Sequence, residues 1–85
     1  MSKRNRRPSL PGDILRELYL YERDITLAKM SNDIGTSLEE FCSIVHGSSP
    51  VTPEIAVSWA AYLDTSPTLW LNLQKAVDDW DAANS

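Results

Sequence analysis

With 85 residues and a net charge of −4 at pH 7, the chain is long enough for one small domain. Its acidic balance argues against nucleic-acid binding driven by overall charge, and no apolar run is long enough to span a bilayer. Cys42 and His46 are the single cysteine and histidine, too few for an internal disulfide or a metal site. We therefore expect a cytoplasmic protein without a metal or other cofactor.

Charge is distributed unevenly along the chain. Four of the eight basic residues lie in the first seven positions, namely Lys3, Arg4, Arg6 and Arg7, whereas the chain from Pro8 onward holds four bases and all twelve acids. A basic segment on an acidic body is typical of an interaction arm, although a short basic terminus is about as often a solvated tail. We predict a flexible arm over residues 1–9 and one folded domain over residues 10–85.

The first two helices are predicted within residues 11–34. The first begins at Pro11 or Gly12 and ends near Glu22, and its apolar residues recur at i, i+1, i+4 and i+5. These residues are Ile14, Leu15, Leu18 and Tyr19. Thr26 is the expected cap of a second helix over residues 27–34, and Gly35 ends that helix because glycine readily adopts a positive φ.

A capping box, Ser37-Leu38-Glu39-Glu40, opens the third predicted helix, which runs to about His46 and stops at Gly47. Its buried face consists of Phe41, Ile44 and Val45. Its open face consists of Glu39, Glu40, Ser43 and His46. Only three residues separate this helix from the second one, which is typical of a helix-turn-helix, here over residues 26–46.

Two further helices are indicated by Thr52-Pro53 and Ser66-Pro67, each a capping hydroxyl followed by a proline at the first helical position. The fourth helix is predicted over residues 53–63, with an inward face of Ile55, Ala56, Trp59, Ala60 and Leu63. The fifth begins at Pro67.

The fifth helix has an apolar band that is wider than one contact requires. Trp70, Leu73, Val77 and Trp80 recur at i, i+3, i+7 and i+10, the spacing of a helix–helix seam. We expect a homodimer whose interface consists of Trp70, Leu73, Gln74, Val77 and Trp80. The alternative is that the band packs only on the chain's own core and that the end of the helix stays exposed to solvent.

In chain order these motifs resemble those of the HigA antitoxin branch of the Cro/C1-type (XRE) helix-turn-helix family. The similar segments cover residues 10–80: Pro11-Gly12-Asp13-Ile14-Leu15, Ile25-Thr26, Met30-Ser31, Ile34-Gly35-Thr36-Ser37, Phe41, Ile44-Val45, Gly47, Thr52-Pro53-Glu54 and Thr65 to Gln74. Asp24 and Asp64 depart from the family, which often has glycine there. We expect a shift of the helix ends by one residue, since aspartate takes the left-handed conformation less readily.

The resemblance implies an all-α, five-helix, λ-repressor-like fold that dimerises through its last helix. It also implies a place in a bacterial toxin–antitoxin operon, autorepression at the operon promoter, and a small RelE/HigB-like mRNA-cleaving toxin as partner.

The expected DNA contacts depart from the family pattern of Arg, Lys, Gln or Asn on the third helix. The corresponding residues here are Ser37, Leu38, Glu39, Glu40, Ser43 and His46. Glu39 or Glu40 can accept a hydrogen bond from cytosine N4 only with cations nearby, and the N-terminal bases Lys3, Arg4, Arg6 and Arg7 are the expected source, laid in the minor groove.

Two other classes of function compete with this one. A helix-turn-helix that has lost DNA contact would serve as a dimeric protein-interaction module. An enzyme has almost no support in the sequence, which offers neither paired carboxylates in an evident cleft nor a phosphate-binding glycine loop.

Overall fold

In the computed structural model, residues 7–84 are described, and their regular structure is entirely helical. Helix α1 is continuous over an α-helical turn Pro11–Ile14, a π-helical segment Leu15–Leu20 and an α-helical turn Tyr21–Arg23. It is followed by α2 (Leu27–Ile34), α3 (Leu38–Val45), α4 (Pro53–Leu63) and α5 (Pro67–Ala83). Over this range the predicted five-helix order is confirmed, and none of these helices has the length and apolarity to cross a membrane.

The four predicted hydroxyl caps are confirmed. Each accepts a hydrogen bond from the amide three residues later, which satisfies one of the free amides at a helix start. The caps are Thr26, Ser37, Thr52 and Ser66, at 3.0, 3.1, 3.3 and 3.3 Å. The return half of the predicted capping box, from the Ser37 amide to the Glu40 carboxylate, does not form. Such a return bond occurs in α1 instead, where the Leu10 amide donates to Asp13 Oδ2 at 3.3 Å.

The buried face of α1 differs from the predicted stripe. Leu15 and Leu20 are buried, whereas Leu18 is 59 % exposed. In a π-helical segment the backbone hydrogen bonds reach five residues, so residues i and i+5 come to the same face. Leu18 of the predicted apolar stripe therefore lies at the surface, and Leu20 takes its place in the core.

Helices α1 and α4 both end on an aspartate in the left-handed conformation. Asp24 has φ 58° and Asp64 has φ 61°. Both residues adopt the geometry that glycine would take, so α4 ends at Leu63, as its apolar pattern predicts, without the shift expected at Asp64.

The core is organised around a row of aromatic rings from four helices. Trp70 of α5 contacts Tyr19 of α1 at 5.5 Å between ring centroids and Trp59 of α4 at 5.2 Å. Trp59 in turn contacts Phe41 of α3 at 5.8 Å, edge to face. The predicted inward residues of α4 lie in or against this core.

Gly12 brings the start of α1 against the end of α3. A Cβ atom at this position would overlap the backbone carbonyl of Val45. Pro11 and Gly12 are both buried. This backbone-to-backbone contact holds the inner side of α3 against the domain and leaves its outer side exposed.

Candidate nucleic-acid interface

The helix-turn-helix consists of α2, the turn 35–37 and α3. Gly35 ends α2 with φ 78°, and its amide hydrogen-bonds back to the last turn of that helix. The Thr36 amide donates to the Ser31 carbonyl at 2.9 Å. The backbone of the turn is therefore tied to α2, and it sets the angle at which α3 leaves the turn.

The predicted two faces of α3 are confirmed. Its inner side chains Phe41, Ile44 and Val45 are buried. On its outer side Ser37, Glu39, Glu40 and His46 are exposed, Ser43 is half-buried, and Leu38 is 47 % exposed. The structure thus gathers the predicted helix-turn-helix site residues into one surface, which we call the α3 face: Ser37, Leu38, Glu39, Glu40, Ser43 and His46.

His46 caps the C-terminal end of this face. Its Nδ1 lies 2.9 Å from the carbonyl oxygen of Cys42. A carbonyl can only accept, so Nδ1 carries the hydrogen, and in the neutral ring Nε2 is an acceptor. This hydrogen bond satisfies a carbonyl of the last turn of α3.

Among the described residues, no cation lies beside the two carboxylates of the α3 face. Neither Glu39 nor Glu40 forms an ion pair or a side-chain hydrogen bond within residues 7–84. The bases of that range are engaged elsewhere. Arg7, Arg16, Lys29 and Lys75 pair with Asp81, Asp13, Asp33 and Asp79 at 2.8, 2.8, 3.1 and 3.0 Å. Arg23 lies 5.6 Å from the ring centroid of Tyr19.

Of the four N-terminal bases, the structure describes only Arg7. Lys3, Arg4 and Arg6 lie outside the described residues. Arg7 makes a bidentate contact with Asp81 near the end of α5, Nε to Oδ1 at 3.0 Å and Nη2 to Oδ2 at 2.8 Å. In this conformation Arg7 is therefore not on the α3 face, since α5 carries a carboxylate within its reach.

A contact that was not predicted ties α2 to α4. The Tyr62 hydroxyl donates to Asp33 Oδ2 at 2.6 Å, and Lys29 also donates to that oxygen. The Tyr62 hydrogen bond, helped by Lys29, lowers the pKa of Asp33. The same bond raises the pKa of Tyr62, because it needs the phenolic hydrogen. The two residues are 29 positions apart, so no local sequence pattern indicates the contact.

The predicted interface of α5 needs a correction. The chain itself buries Trp70 (0 % exposed) and Val77 (2 % exposed), so neither offers surface to a second copy in this conformation. Leu73, Gln74 and Trp80 are half-buried. Gln74 also links α5 to the loop before α4, since its Oε1 accepts a hydrogen bond from the Val51 amide at 2.9 Å. Spacing along a helix does not show which side of an apolar band the chain will use for its own core.

No family model matches the chain. Known proteins are nevertheless similar to it in sequence and in fold. A helix-turn-helix transcriptional regulator of uncharacterised role from Haemophilus influenzae is 36 % identical over 76 residues, 89 % of this chain and 71 % of that protein. Antitoxin HigA-1 of Vibrio cholerae is 33 % identical over 84 residues, 99 % of this chain and 79 % of that protein.

A solved structure extends the likeness to three dimensions. The antitoxin HigA of Pseudomonas aeruginosa, solved with the higBA promoter, has a TM-score of 0.83 and 33 % identity. The match covers 89 % of this chain and 83 % of that one. The predicted all-α, five-helix fold class is thereby confirmed. On its sequence and its fold, the chain belongs to the HigA branch of the helix-turn-helix regulators.

Proposed function

We propose that the protein is a dimeric antitoxin that binds operator DNA through the α3 face and represses its own promoter, and that it neutralises a RelE/HigB-like mRNA-cleaving toxin. The observation that carries the proposal is the exposed α3 face on a helix-turn-helix. The same fold was solved with promoter DNA in the Pseudomonas relative. In such motifs the first residues of the second helix enter the major groove.

Phosphate contacts in this proposal come from the N-terminal bases. Affinity for DNA depends first on cations that neutralise phosphates, and the α3 face has none of its own. Lys3, Arg4 and Arg6 are the bases whose partners the structure does not describe. Arg7 and Lys29 already pair with carboxylates of the domain itself, so they are not counted among the phosphate contacts.

Dimerisation in this proposal uses the part of α5 that the chain leaves uncovered. Leu73 and Trp80 lie two helical turns apart, and both are half-buried. Two copies joined there would present two α3 faces, which matches the two half-sites of a repressor operator.

Toxin binding fits the charge of the domain. From Pro8 onward the chain holds twelve acidic and four basic residues. A toxin that cleaves mRNA must itself bind phosphates, so its surface is basic and complementary to this domain. A reducing cytoplasm suits the lone Cys42.

A protein-interaction module without an operator is the second candidate. Two observations within residues 7–84 favour it: the two carboxylates of the α3 face have no partner there, and every base of that range is engaged.

Gel retardation of the upstream promoter fragment distinguishes the two candidates. We expect the full chain to retard it at low salt and a variant lacking residues 1–6, which keeps the Arg7–Asp81 pair, to bind much more weakly. No retardation by the full chain would remove the repressor role. The toxin role is tested by co-expression with the product of the neighbouring reading frame; undiminished mRNA cleavage by that product would refute it.

A further inference from the structure

The α3 face has an unusual chemistry for reading bases. Its two longest polar side chains, Glu39 and Glu40, can only accept hydrogen bonds when ionised. Both are exposed and unpaired within the described residues. If this face enters a major groove, its longest side chains can engage only the donors of that groove, the amino groups of cytosine and adenine.

The two carboxylates do not occupy equivalent positions on the helix. Successive residues of an α-helix are about 100° apart. Glu39 and Ser43, one turn apart, stand opposite the buried side formed by Phe41, Ile44 and Val45. Glu40 lies about 100° round from Glu39, on one flank of the helix.

The dimensions of the groove give these positions different neighbours. A helix with its side chains is about 10–12 Å wide, and the major groove is about 12 Å wide. A helix seated in the groove therefore points its outermost residues at the base edges and its flanks at the sugar-phosphate walls. Glu39 meets bases, and Glu40 meets phosphates.

Cytosine is the base that a carboxylate at Glu39 selects. Its major-groove edge presents the N4 amino donor, whereas adenine places the N7 acceptor beside its N6 donor. Guanine and thymine present acceptors, which repel a carboxylate. We propose that Glu39 is the specificity-determining residue of the operator interface and reads a cytosine through N4, while Glu40 faces the backbone and weakens binding to every sequence. This inference rests on the proposed function.

The experiment compares single glutamine variants, which remove one charge with almost no change of shape. The full chain, Glu39→Gln, Glu40→Gln and the control Glu22→Gln each select from a pool of duplexes randomised across both half-sites. Glu22 is also exposed, but it lies at the end of α1 opposite to the Gly12–Val45 contact with α3. Affinities of the selected duplexes and of the promoter fragment are then measured by fluorescence anisotropy.

We expect the full chain and Glu22→Gln to select a cytosine at the same position of each half-site, with a preference of about tenfold. Glu39→Gln should select adenine there, because glutamine pairs with the adenine N6 and N7 groups. Glu40→Gln should keep the cytosine and bind all duplexes roughly threefold more tightly, since one charge no longer faces the phosphates.

Several results would overturn the inference. An unchanged base preference in Glu39→Gln, a selected site without the cytosine, or a changed preference in Glu40→Gln would each do so while leaving operator binding intact. If the full chain enriches no duplex and does not bind the promoter fragment, the proposed repressor function fails, and this inference fails with it.

Discussion

At the scale of single residues, Gly12 determines whether α3 can dock. Its Cα approaches the Val45 carbonyl so closely that no side chain fits between them. The Pro-Gly pair at the start of α1 therefore has two physical roles. Pro11 starts the helix and sacrifices no hydrogen bond, because an amide at the first helical position has no partner within the helix. Gly12 permits the close contact with α3.

We expect Gly12→Ala to lower the free energy of unfolding by about 3 kcal/mol, because the added methyl group must push two backbones apart. The matched control is Gly35→Ala, where a Cβ would meet no atom within 4 Å and only the positive φ is strained. That variant should lose about 1 kcal/mol. Urea denaturation followed by circular dichroism measures both, and equal losses would contradict the close contact at Gly12.

At the scale of elements, α1 shows how a change of helical pitch changes the buried residues. The π-helical segment puts Leu20 into the core and turns Leu18 to the surface. A regular α-helix over the same residues would favour the opposite arrangement, with Leu18 one turn from Ile14 and Leu15.

Two leucine-to-alanine variants test this arrangement. Leu20→Ala should reduce the free energy of unfolding by about 3 kcal/mol, the usual cost of a cavity in a core. Leu18→Ala should change it by less than about 0.5 kcal/mol, as surface substitutions do. Chemical denaturation measures the free energy of unfolding of both variants. A large loss in Leu18→Ala with a small one in Leu20→Ala would mean that α1 is regular.

The hydrogen bond between α2 and α4 makes the stability of the helix-turn-helix depend on pH. The pKa of Asp33 is lowered in the folded chain, so its contribution is present above the unfolded pKa and is lost as pH falls through the folded one. The pKa of Tyr62 is raised, so its contribution is present below the unfolded pKa and is lost as pH rises through the folded one.

We expect Tyr62→Phe to reduce stability by a constant amount between about pH 5 and pH 9. The difference from the unmodified chain should shrink below about pH 4 and above about pH 10. Thermal melts across this range measure it, with Tyr21→Phe as a control because Tyr21 is exposed. A difference independent of pH would show that the pair is not formed in solution.

At the scale of the whole molecule, charge is partitioned between a basic N-terminus and an acidic domain. Within residues 7–84 the domain engages its own bases internally, so the phosphate contacts that we propose depend on Lys3, Arg4 and Arg6. In a dimer this amounts to six cations.

The salt dependence of promoter binding tests this partition. With six phosphate contacts, the logarithm of the binding constant should fall with the logarithm of salt concentration with a slope of about −5. A variant with Lys3, Arg4 and Arg6 changed to glutamine should have a slope near zero. Titrations at several salt concentrations give both slopes. An unchanged slope in the variant would place the phosphate contacts on the domain.

The helix starts, the order of five helices and the two faces of α3 were all predictable, because hydroxyl caps, prolines and apolar spacing act within one or two turns of chain. Four features were decided only by the tertiary structure: the burial of Leu20 in place of Leu18, the use of Trp70 and Val77 in the chain's own core, the Arg7–Asp81 contact and the Asp33–Tyr62 contact. These depend on helical pitch or on residues distant in sequence. A local pattern states that a side chain is apolar or charged, whereas only packing determines which neighbour it meets.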